Sequence, residues 1–84
     1  MSTLTTVHRN FTTDQSSAIN SITIDGTSVV VVYHSNTDKG YTFNATPSYA
    51  EWLGDLLTND EQLQRVSIGA TIADAKRTEE LTAV

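Results

Sequence analysis

The chain has no cysteine, one proline, four glycines and two histidines among its 84 residues. Without cysteine there is no disulfide, no thiolate nucleophile and no Cys-ligated zinc or iron–sulfur centre. His8 and His34 are the whole supply of imidazole. Neither has a His-x-x-x-His partner or a Ser-His-Asp spacing, so neither a metal centre nor a catalytic triad is expected. Positive charge is also scarce, with five basic residues against ten acidic ones and a net charge of −5. That balance argues against general binding to nucleic acid or to an anionic membrane. The longest uninterrupted apolar run is the five residues from Val29 to Tyr33, against roughly 20 for a bilayer span. The N-terminus lacks the basic and apolar regions of a secretory signal. The expectation is a cytoplasmic, non-secreted protein with no membrane segment and no cofactor.

What is present fits one small domain. A chain of this length buries only about 60% of its unfolded surface, which leaves it marginal without help from other chains. Composition changes near residue 46. Residues 1–44 hold three acids, two bases and most of the β-branched side chains, whereas 45–84 hold seven acids and three bases together with most of the leucine and alanine. This β-then-α order within one domain predicts an α+β fold: a three- or four-stranded antiparallel meander with two or three helices on one face. Residues 1–15 read as an N-terminal arm or an added edge strand, and residues 16–84 as the domain.

The strand signals are alternation and turn chemistry. Ile22 and Ile24 share one face, Ser21 and Thr23 the other. Asp25-Gly26 then supplies the positive φ of a tight hairpin. Ser28 to His34 is the return strand, and its four valines, apolar on both faces, predict a central strand covered on each side. A loop over residues 35–40 leads to a short third strand, Tyr41-Thr42-Phe43. Thr46-Pro47 opens a helix as cap and first residue. Tyr49, Trp52, Leu53, Leu56 and Leu57 make its apolar stripe, with Glu51 and Asp55 opposite. This spacing places Trp52 on the buried side, near the edge of the stripe. Asn59 with Gln62 reads as a capping box for a short helix through Val66. Ser67-Ile68-Gly69 interrupts, and a last helix is expected from Ala70 to about Leu81.

Several of these features occur in a known order. Ser16-Ser17-x-Ile19-x-x-Ile22, the Asp-Gly turn, a valine strand ending in an aromatic, and Gly40-Tyr41-x-Phe43 are followed by Pro47-x-Tyr49 and Ser67-x-Gly69. Together they resemble the KTSC domain, which is named for its place at the C-terminus of some lysyl-tRNA synthetases. That domain also forms free-standing small proteins of bacteria and phages. The resemblance spans about residues 16–77. It implies a meander packed on helices and a nucleic-acid or small-ligand binding role. The chain differs from the pattern in an inserted acidic stretch, Thr58 to Arg65, and in its few basic residues.

Candidate sites are few. Ser67 as a helix cap and Gly69 as a close-approach residue could hold an anion at a helix N-terminus. Arg65, Lys76 and Arg77 would supply charge if the fold gathers them there, and Tyr41 a stacking surface. Val30, Val32 and Trp52 are the candidate partner-interface residues, Trp52 under the rival reading in which it is exposed. No catalytic or metal-ligating set emerges, so an enzyme is not expected. The reading placed first is a small non-enzymatic interaction protein of phage type, a homo-oligomer that binds a host or virion protein. Second is an oligomer that binds or sequesters a nucleotide-like small ligand. RNA binding, implied by the resemblance alone, is third.

Overall fold

The computed structural model describes residues 6–84, so the part of the expected arm before Thr6 lies outside the described residues. The elements are β1 (Thr6–Asn10), β2 (Ile19–Asp25), β3 (Ser28–Tyr33), β4 (Asn36–Ala45), α1 (Pro47–Leu57), α2 (Asp60–Leu63), α3 (Ile68–Arg77) and β5 (Leu81–Ala83). The α+β class is as expected, but the antiparallel sheet has five strands rather than three or four, in the order β1-β2-β3-β4-β5.

One edge is β1, within the residues offered as an arm or added edge strand, and the other, β5, is the strand beyond the expected four. Thr6–Asn10 pairs in full register with β2, Val7 opposite Ile24 and Arg9 opposite Ile22. At the other edge, the last helix stops at Arg77, short of the expected Leu81. Thr78 caps it, and Glu79 turns the chain at a φ of 65°. Leu81, 1% exposed, then enters the core opposite Ala45 instead of extending the helix. That helix also begins earlier than expected, at Ile68, so Gly69 lies inside its first turn. The expected 35–40 loop is largely strand. The hairpin closes at Tyr33 opposite Asn36, and a register shift carries Val32 to Gly40. Gly40 is needed there, because a Cβ would stand 2.9 Å from Val30 Cγ1.

One core joins the sheet to the helices. Ile22, Ile24, Val29 and Val31 from the strands pack with Leu53, Leu57, Ile68 and Ile72 from the helices. All eight are at most 3% exposed. The expectation that β3 is covered on each side is corrected. Val29 and Val31 are buried, while Val30 and Val32 point the other way and remain half-buried. Period-two alternation puts the cross-strand neighbours Thr23 and Thr42 beside Val30 on that open face.

Candidate functional site

The anion site proposed around Ser67 is not gathered by the fold. Ser67 is the N-cap of α3, its hydroxyl accepting from the Ala70 N–H at 3.4 Å. Gly69, in the same turn, faces the loop before β2, but an added Cβ would meet Ala18 Cβ at an ordinary 3.7 Å, so the close approach expected of this glycine is not required. Arg65 pairs with Glu61 one turn earlier, at 3.7 Å. Lys76 and Arg77 sit at the far end of α3, about 15 Å along a ten-residue helix. There Lys76 Nζ lies 5.6 Å from the Phe43 ring centroid, and Arg77 donates to Asp74 at 2.6 Å. Tyr41 is exposed on β4, edge-on to Tyr33 with centroids 5.5 Å apart, and Lys39 Nζ lies 4.9 Å from its ring centroid.

Trp52 is where the structure departs most from the helical-stripe reading. It is 47% exposed, not buried. The buried positions of α1 are Tyr49, Ala50, Leu53, Leu56 and Leu57. At 3.6 residues per turn, Trp52 stands about 100° from the middle of that stripe. Its indole lies against the Tyr49 ring, centroids 5.5 Å apart at 34°. Two clefts flank it. One of about 300 Å³ is lined by Ser48, Tyr49, Trp52 and Glu80. The other, of about 160 Å³, lies between Trp52, Asp55, Leu56, Asn59 and Gln62.

Glu80 reaches this place through the fold alone. Its carbonyl accepts from the Thr46 N–H at 3.0 Å, tying the start of β5 to the cap of α1. Its carboxylate accepts from the Thr78 hydroxyl at 2.9 Å and pairs with no basic side chain among the described residues. The neighbouring acids of α1, Glu51 and Asp55, are likewise without a basic partner among the described residues. Tyr49, 6% exposed, has a buried hydroxyl with no hydrogen-bond partner among the described residues. Burial, reinforced by the Glu80 and Asp74 carboxylates, pushes this phenol up to about 12, so it is a neutral hydroxyl at ordinary pH.

Two larger clefts, each about 380 Å³, have less to offer a partner. In one, Arg9 and Asp60 face each other and are paired together. The other, between Val7, Ile24, Ala50 and Gly54, has a mainly apolar wall. No helix of the described residues is long and apolar enough to cross a membrane. Comparison with protein-family models, with curated proteins and with solved structures finds no match.

Proposed function

We propose that this chain is a small non-enzymatic interaction protein that docks on a partner protein in the cytoplasm through the Trp52 face of α1. The observation that carries the reading is Trp52 itself. The only tryptophan of the chain is half outside the core, held against a buried tyrosine and flanked by two clefts. A tryptophan so placed presents a large, stiff contact area that loses little side-chain entropy on binding, which is why such residues dominate interface energetics. A nucleotide-binding role has weaker support, because the basic residues it needs stand at opposite ends of α3. RNA binding is disfavoured by the same scatter and by the net charge of −5. A KTSC-like origin, in a bacterium or a phage, is compatible with docking on a host or virion protein and rests on the short motifs quoted above.

The test is a photo-crosslinking residue placed at position 55, exposed beside Trp52 on the same face of α1, in cells that naturally carry the protein. The expected result is one discrete protein adduct, competed away by excess wild-type chain and not by the Trp52→Ala chain. Absence of an adduct, or equal competition by both chains, overturns the reading.

A second observation favours self-association. The open sheet face carries half-buried Val30 and Val32 with Thr23 and Thr42 at its centre, and Asp25 stands on the same face at the hairpin end of β2. Two copies meeting over Val30 and Val32 would cover that apolar centre. Native mass measurement at tens of micromolar should give a dimer or larger for the wild type and a monomer for Val32→Lys. A wild-type monomer sinks this part of the proposal.

A further inference from the structure

We infer that the cleft between Trp52 and Glu80 is built to receive an arginine side chain from a basic segment of the partner; this rests on the docking role proposed above. Two independent features converge on a planar cation. Trp52 offers an exposed indole face, the best aromatic surface for a guanidinium. Glu80 offers a carboxylate without a basic partner among the described residues, which can accept two parallel N–H bonds from one guanidinium. Tyr49 lines the same cleft and backs the indole, its ring centroid 5.5 Å from that of Trp52.

Charge decides between occupants. An acidic one would set like charges against Glu80, with Glu51 and Asp55 near by on α1, and an apolar one would leave the Glu80 carboxylate without a basic partner. The basic residue of this chain closest in sequence to Glu80, Arg77, is held by Asp74 at 2.6 Å. The cleft volume, about 300 Å³, has room for one long side chain.

Trp52 is the sole tryptophan, so its indole N–H gives a single, unambiguous signal in a ¹⁵N–¹H correlation spectrum. The titrants are a blocked Gly-Gly-Arg-Gly-Gly pentapeptide and the same peptide with citrulline in place of arginine. Citrulline keeps the shape and loses the charge. The expected result is a saturable shift of the indole signal with the arginine peptide, and about ten-fold weaker binding with citrulline. Glu80→Gln should weaken the arginine peptide by about ten-fold. The variant should keep a dispersed, native spectrum. No shift with the arginine peptide, an equal response to citrulline, or unchanged affinity in Glu80→Gln overturns the inference. If adducts still form at position 55 while the arginine titration is silent, only the arginine assignment fails. If the titration succeeds and no adduct forms in cells, the docking role fails instead.

Discussion

Arg9, on the edge strand β1, donates from Nη1 to the Leu57 carbonyl at the end of α1, 3.0 Å away, and pairs with Asp60 in the first turn of α2. One side chain therefore closes the C-terminus of one helix and neutralises the start of the next. The α1 end has no basic residue of its own in its last turn, so the cation that its exposed carbonyls favour comes from the sheet. The Arg9 side chain is half-buried, 26% exposed.

Replacing Arg9 by methionine keeps much of the packing and removes both interactions, leaving the Leu57 carbonyl unserved. The expected cost is about 1–2 kcal/mol. Asp60→Asn should cost less, under about 1 kcal/mol, because that carboxylate is 74% exposed and solvent already weakens its pairing. Urea midpoints of the two variants check the order. An Asp60→Asn loss equal to that of Arg9→Met would put the energy in the ion pair rather than in the helix end.

The meander was legible because its signals are local. Asp25-Gly26 makes the turn with Gly26 at a φ of 64°, and the alternation of Ile22 and Ile24 follows from the pleat. The caps of all three helices were legible for the same reason: Thr46, Asn59 and Ser67 each accept from the N–H three residues on. The edge strands were not fully legible. A strand of three residues, Leu81–Ala83, has no periodicity to read, and only its pairing with β4 defines it. Trp52 was singled out, but its side of the helix depends on where the stripe is centred, which the buried Ala50 and Leu57 decide. Glu80 was invisible as a site residue. It lies 31 positions from Tyr49 and comes to α1 through a backbone bond to Thr46.

Glu79 occupies the left-handed region at the end of α3, where a side chain costs about 1–2 kcal/mol. Its negative charge also stands at the negative end of the helix dipole. Glu79→Gly should therefore stabilise the protein, by about 1 kcal/mol after the greater chain entropy of glycine is set against the relief. For a domain of this size that raises the melting temperature by about 4–8 °C. A lower melting temperature in the variant would show that the Glu79 side chain makes a compensating contact.

Tyr49 makes stability fall at high pH. In the folded state its proton is held up to about 12, against an ordinary value of 10.0, first by burial and then by Glu80 and Asp74. Between those values the unfolded chain binds fewer protons than the folded one, so stability declines as pH rises through this window. Tyr49→Phe should flatten that decline. At neutral pH the same variant should be as stable as wild type or more so, since it removes a buried hydroxyl with no partner among the described residues. Urea unfolding of both proteins at pH 8 and pH 11 checks both statements. A large loss in Tyr49→Phe at pH 8 would mean that the hydroxyl is satisfied in solution.

Trp52 and Leu53 are neighbours in sequence with opposite duties. Leu53 is fully buried between sheet and helices, whereas Trp52 is 47% exposed and rests on Tyr49. Leu53→Ala empties core volume and should cost about 2–5 kcal/mol, comparable with the whole stability of so small a domain. Trp52→Ala removes one aromatic contact and partly wetted area, so its cost should stay near 1 kcal/mol. Thermal unfolding should thus show Leu53→Ala strongly destabilised or unfolded and Trp52→Ala close to wild type. The functional readout runs the other way. Trp52→Ala protein, folded and of unchanged oligomer mass, should fail to compete for the partner adduct formed at position 55. That combination separates an anchor from a core residue, because a core residue cannot lose binding while the melting temperature holds. A fall of more than about 3 kcal/mol in Trp52→Ala would return the indole to the core in solution and remove the surface on which the docking role stands.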